Sequence, residues 1–251
     1  MSDVSRETVS GEQDDAPATP PAAPSGAAVV FGDRAPLADR FVAILADTGV
    51  SHGLIGPREV PRLWERHVLN CAVIEDAFPA SARLVDVGSG AGLPGIALAI
   101  ARPDLDVHLV EPMQRRTDWL SDTVLQLGLD NVTVHRGRAE DLVGVVAAPW
   151  VTARAVARIA KLARWCVPLL DGRGTLVAMK GRSAQEELDA DRRDLTRLGL
   201  VDAAVRRHGE SVLAEATNTL DLTFEPRPSR SKAAAKAAAK ARRGKPAPPS
   251  T

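Results

Sequence analysis

Three glycines, Gly88, Gly90 and Gly92, stand two residues apart between the apolar runs Arg83–Val87 and Leu93–Ala101. Glycines cluster in this way where a backbone turns sharply and passes so close to a ligand that a side chain would block it. Acids end the neighbouring runs: Asp86 just before the glycines, Glu111 about twenty residues on, and Glu140 within GRAEDL at 137–142. A carboxylate at Asp86 can accept from loop amides or meet an ammonium. One at Glu111 can hold both hydroxyls of a ribose. An acid in GRAEDL can accept from the exocyclic amine of adenine while the adjoining backbone reads the ring edge. The dinucleotide fingerprint G-x-G-x-x-G is not matched, because position 93 is Leu and the third glycine falls one residue early. No second mononucleotide-binding half for a nicotinamide follows, and there is no G-K-[ST] phosphate loop. An adenosine ligand without phosphates fits best, and S-adenosylmethionine is such a ligand.

These residues need a scaffold, and the chain after Pro79 alternates strand-like and helix-like apolar runs. Strands are expected at Arg83–Val87, Val107–Val110, Val132–His135, Trp150–Ala153 and Thr175–Met179. Helices are expected at Leu93–Ala101, Arg115–Gly128, Ile159–Leu170 and Gln185–Leu198, with Pro94 in a first turn and Gly128 at an end. Ala203–Val205 and Thr219–Phe224 read as a closing antiparallel pair. Such alternation with short connections predicts an α/β fold, a doubly wound sheet covered on both faces. Upstream the apolar spacing is helical: Leu37, Phe41, Ile44 and Leu45 share one face, and Leu63, Trp64, His67, Val68 and Cys71 another. The expected organisation is an acidic, Pro-rich disordered tail over 1–26, an N-terminal helical cap over 27–80, the ligand-binding domain over 81–226 and a basic disordered tail over 227–251.

Composition narrows the class. No apolar run approaches a membrane span, and the N-terminus has no basic start followed by an apolar block, so a cytoplasmic protein is expected. Cys71 and Cys166 sit in apolar, helix-like contexts, which favours buried thiols and leaves too few ligands for a metal. The net charge of zero hides an uneven distribution: five acids and one arginine over 1–26, but eight basic residues and no acid from Arg227 to Lys245. A neutral total therefore leaves a polyanionic partner open.

At DVGSGAGLPGI (86–96), with WERHVLNC upstream, ARAVA around Arg154 and AMKG around Lys180, the chain resembles the bacterial small-subunit ribosomal RNA guanine-N7 methyltransferases, also called the glucose-inhibited division protein B family. The resemblance runs from about Phe31 to Phe224 and omits both charged tails. It implies a class I methyltransferase (Rossmann-like) fold, S-adenosylmethionine as cofactor, and a guanine in a decoding-region loop of 16S rRNA as target, in free RNA or a small-subunit precursor. By motif position, Gly88 and Leu93 match loop positions that touch the cofactor, Ala139 and Glu140 the adenine edge, and Arg154 the fourth-strand position. Asn70 departs from the family, where an aspartate is common. A monomer is expected.

The residues themselves suit this chemistry. No N/D-P-P-Y sequence for exocyclic amines follows the fourth strand, and neither cysteine stands in a Pro-Cys loop for pyrimidine C5. Guanine N7 presents a lone pair and carries no proton, so alignment is most of the task and no general base is expected. Arg154 can bind the cofactor carboxylate, a phosphate or a base edge; its alternative role is a surface ion pair. For RNA contact the candidates are His67 capping the cleft, Lys180 at the rim, and Arg115, with Arg116, opening the helix after Glu111. The four tryptophans are expected in the core. The basic tail should strengthen RNA encounter without choosing the base. Two other readings stay open: a small-molecule methyltransferase, which would want a lidded apolar pocket, and a non-catalytic nucleotide-binding regulator that keeps the fold.

Overall fold

A computed structural model describes residues 19–154 and 157–225. Most of the acidic stretch and the whole basic tail thus lie outside the described residues. Seven strands form one sheet: β1 Arg83–Val87, β2 Asp106–Glu111, β3 Val132–Arg136, β4 Ala148–Arg154, β5 Leu170–Lys180, β6 Leu200–His208 and β7 Thr217–Phe224. Their order is β3-β2-β1-β4-β5-β7-β6. Strands β1 to β5 pair in parallel, while β7 runs antiparallel to both β5 and β6. The chain works outward from β1 to β3, then crosses to β4 on the other side of β1. A crevice opens at such a reversal, beyond the carboxyl ends of β1 and β4.

The helices are α1 Ser25–Phe31, α2 Ala35–Ile44, α3 Leu69–Ala72, α4 Gly95–Ala101, α5 Gln114–Leu127, α6 Ile159–Cys166 and α7 Ala184–Arg197. One sheet face buries Leu84, Val107 and Leu109 against α4, α5 and the cap, with Phe41, Leu63 and Trp64 fully inside. The other buries Leu220, Leu222 and Phe224 against α6 and α7 through Leu162, Leu188 and Leu195. Each such side chain stabilises the fold by about 1.5–3 kcal/mol. Both cysteines are buried and unpaired, and burial raises both thiols.

Differences from the expected elements have local causes. Helix α1 begins within the stretch read as tail, because Gly26 and Ala27 bury against the cap. The expected helix to Leu170 stops at Cys166 and tightens into a 3-10 turn at Val167–Leu169, where Pro168 has no N–H to donate. Residues 57–72 wind as a 3-10 turn through Pro57 and Pro61, then wider π turns over Leu63–Val68, before α3. The cap is tied to the far side of the sheet: Asn70 Nδ2 donates to Thr217 Oγ1 at 2.6 Å, and His208 Nδ1 lies 2.6 Å from Asp76 Oδ1.

Helix α4 starts at Gly95, two residues later than expected, after a turn containing a cis Leu93–Pro94 bond. Its backbone presses on β1 and β2 so closely that a Cβ at Gly95 would strike Leu109 Cδ2 and stand 2.8 Å from Asp86 Oδ2. Gly95→Ala is therefore expected to cost about 1–3 kcal/mol of stability. Urea unfolding with an unchanged midpoint would contradict that close approach.

Candidate functional site: a glycine turn and a basic cleft

The turn after β1 is held by β2. The amides of Gly88 and Ser89 donate to the Val110 carbonyl at 2.8 and 3.2 Å. Gly90 N–H donates to Glu111 Oε2 at 3.1 Å, and Met113 N–H to Glu111 Oε1 at 3.0 Å. Arg116 approaches the same carboxylate at 3.7 Å. Glu111 is thus a buried brace of the loop, with acceptor capacity left on each oxygen. Gly90 has φ +52°, and a Cβ there would point into open space, with only Gly88 O in reach at 3.8 Å. Leu93 is buried in the core on the cap side, so it meets the loop region through its backbone, whose amide donates to Ser89 O.

Asp86 lies under this turn, fully buried. One oxygen accepts from Gly95 N–H at 3.0 Å; the other has no partner among the described residues. Burial pushes its carboxyl up to about 7, against the pull of the Gly95 amide and of Arg154. A buried acceptor left open is costly unless something fills it. A donor or cation seated there would return the group to its ionised form. This fits the ammonium of an amino-acid-bearing nucleoside.

Beyond Gly88, a hollow of about 280 Å³ opens between Val110, Pro112, Ala139, Glu140 and Trp165. Ala139 and Glu140 start a single 3-10 turn, Ala139–Leu142, immediately after β3; Ala139 is buried and Glu140 exposed. Trp165 packs against the core as expected, but it is only half-buried and also forms a wall of this hollow, with Lys161 Nζ 5.1 Å from the ring centre. Its position on the apolar face of α6 is legible in the sequence, but not that this face ends at a hollow.

A second hollow, about 690 Å³, separates the cap from the ends of β4, β5 and β7, with Arg66, Asn70, Arg154, Arg182 and Thr217 around it. Arg154, the last residue of β4, puts Nη1 3.2 Å from His67 Nδ1 and 3.5 Å from Arg66 O. His67 Nε2 lies 2.9 Å from Glu59 Oε2. Burial lowers the His67 pKa below 6.5, with the Glu59 bond opposing. Lys180 does not present the free rim amine expected of it. Its Nζ donates to Ala157 O at 2.7 Å and to Glu187 at 2.9 Å, since β5 runs straight into α7, whose first turn carries that acid. Arg115 is exposed near the start of α5.

The structure therefore gathers Gly88, Gly90, Glu111, Ala139 and Glu140 around the smaller hollow and turn. It gathers Arg154 and Lys180 around the larger, with His67 bonded to Arg154. Glu59, Arg182 and Thr217 carry no distinguishing signal in the sequence: Arg182 and Thr217 are revealed by their place around the cleft and Glu59 by its bond to His67, while Arg66 lies in the WERHVLNC motif. Among the described residues no group of three or more ligating side chains could hold a metal, and no helix is long and apolar enough to cross a membrane.

Comparison with known proteins agrees with this geometry. The profile of the family described as rRNA small subunit methyltransferase G matches residues 34–214. A ribosomal RNA small subunit methyltransferase G of Pseudarthrobacter chlorophenolicus is 54% identical over 193 residues, 77% of this chain and 89% of that protein. One of Streptomyces avermitilis is 49% identical over 226 residues, 90% of this chain and 95% of that protein. Among solved structures, M. jannaschii TYW2 in complex with AdoMet superposes with a TM-score of 0.51 at 18% identity, covering 66% of this chain and 78% of that one, a likeness of fold. By sequence over most of its length, the chain belongs to the rRNA small subunit methyltransferase G family.

Proposed function

We propose that this S-adenosylmethionine-dependent methyltransferase of small-subunit ribosomal RNA methylates N7 of a guanine in a decoding-region loop of 16S rRNA. The observation that carries the reading is the pairing of the two strands whose ends bear the glycine turn and Arg154. The glycine turn ends β1 and Arg154 ends β4, and these strands pair directly, Asp86 beside Thr152. A nucleoside held over β1 to β3 would thus have its reactive end at the mouth of a cleft edged by arginines.

Bound S-adenosylmethionine would supply a methyl group already activated on a sulfonium. Gly88 and Gly90 would leave the space for its approach, Asp86 would offer its open oxygen to the ammonium, Glu111 would serve the ribose, and Ala139, Glu140 and Trp165 would hold the adenine. The rest is orientation. Guanine N7 has its own lone pair, so the protein need only align it with methyl and sulfur and exclude water. His67 suits a base-free route, because its Nδ1 lone pair is committed to Arg154. Arg154, together with Arg66 and with Arg182 (itself paired with Glu215 at 2.6 Å), favours a phosphate-bearing substrate over a small apolar one, since basic residues outnumber Glu65 and Glu215 around the hollow. We place the protein in the cytoplasm as a monomer.

The test is chemical mapping. Small subunits or 16S rRNA methylated by the purified protein should show one new site of borohydride–aniline cleavage, which marks 7-methylguanine. Methyl incorporation without such cleavage would overturn the N7 assignment.

A further inference from the structure

We infer that His67, backed by Glu59, is a positioning residue that fixes the guanidinium of Arg154 in the methyl-transfer cleft. The inference rests on the reading that Arg154 faces substrate.

A guanidinium has donors and no acceptor, so the 3.2 Å contact of Arg154 Nη1 must be received by the lone pair of His67 Nδ1. The proton of the neutral ring then sits on Nε2 and points at Glu59 Oε2, 2.9 Å away. One tautomer satisfies both bonds. Arg66 approaches the same Glu59 oxygen at 3.8 Å and Arg62 the other at 4.0 Å, which holds the carboxylate on the outer side of the ring. The Arg66 carbonyl receives Nη1 as well, at 3.5 Å. Both anchors take one nitrogen of Arg154, and Nε and Nη2 bond to no described residue. The fork is clamped on one side and left open on the other.

Protonation would undo the clamp. A proton on Nδ1 removes the acceptor and sets a second cation against the guanidinium. Around the ring stand Glu59 and Arg62 from the turn Pro57–Arg62, Arg66 from its own helix, and Arg154 from β4, with Asp86 of β1 behind that arginine. Burial, helped by the charges of Arg154 and Arg66 and opposed by Glu59, keeps the imidazole neutral at neutral pH.

Two variants separate positioning from support. His67→Asn places an oxygen near Nδ1 and cannot titrate, whereas His67→Leu has no acceptor. Both are compared with the parent and Arg154→Ala in single-turnover methylation of small subunits at saturating S-adenosylmethionine, from about pH 5.5 to about pH 8. At neutral pH the leucine variant should slow about tenfold or more, while the asparagine variant should stay within about threefold of the parent. The ratio of parent to asparagine rates should fall as pH drops below the His67 pKa, with melting temperatures of all proteins similar. Equal rates for leucine variant and parent, an asparagine variant as slow as the leucine one, or a ratio constant in pH would each overturn the inference. If Arg154→Ala alone is harmless, the placement of Arg154 at the substrate fails, and this inference with it.

Discussion

Replacing Gly90 by valine should abolish S-adenosylmethionine binding while the protein stays folded. At φ +52° a non-glycine residue costs about 1–2 kcal/mol, more when β-branched. A domain with about 5–15 kcal/mol of stability survives that. The new side chain meets nothing in the protein, since the nearest atom is Gly88 O at 3.8 Å. It projects instead into open space, which in the proposed function the cofactor fills. Valine also strains the geometry that aims Gly90 N–H at Glu111, so the brace loosens as the space fills. Affinity should drop by at least about a hundredfold, roughly 2.7 kcal/mol. Calorimetric titration beside thermal melting reads both quantities. A folded variant with parental affinity would remove the loop from the cofactor site.

Loss of Arg154 should be almost as severe, but in rate rather than in cofactor affinity. Arg154→Ala removes hydrogen bonds to His67 and the Arg66 carbonyl, each worth about 0.5–1.5 kcal/mol to the fold. The donors that face the cleft are lost too, and a group that grips a base edge or phosphate at the reacting centre is worth about a hundredfold or more in rate. Methylation should therefore fall far more than the melting temperature does. If the variant methylates small subunits as the parent does, Arg154 merely ties the cap to β4.

Much of the sheet is legible in the amino-acid sequence alone. The alternation of apolar runs marks the five parallel strands and the closing pair to within a few residues, because burial on both faces of a sheet writes itself as short continuous hydrophobic stretches. The strand extensions leave no such mark: Asp106 is polar and meets Arg83 across the strand pair, while Asp171 and Arg173 lie where the pairing of β4 with β5 skips from Leu170 to Thr175. The glycine turn and its acids are legible for a similar reason. Conformational need at Gly88 and Gly90 and carboxylates at strand ends are local requirements, met by residues near one another in the chain.

The partners of those residues were decided by the tertiary structure. Lys180 reads as a rim cation, but folding sets Glu187 and the Ala157 carbonyl against it, and the amine turns inward. Trp165 reads as core and packs against it, but only the fold shows that it also walls the smaller hollow. Glu59, His67 and Arg154 form one chain of contacts although 87 residues separate the histidine from the arginine. Asn70 meets Thr217 across 147 residues. By itself the sequence determined which segments become strands and helices, where the backbone must turn without a side chain, and the family to which those motifs belong. Which ions pair, which acceptor stays open at Asp86 and which arginine is clamped over the cleft depended on strand order and on the seating of the cap. Periodicity and propensity act over a few residues, whereas hydrogen bonds and burial are settled by whatever the completed packing brings within about 3 Å.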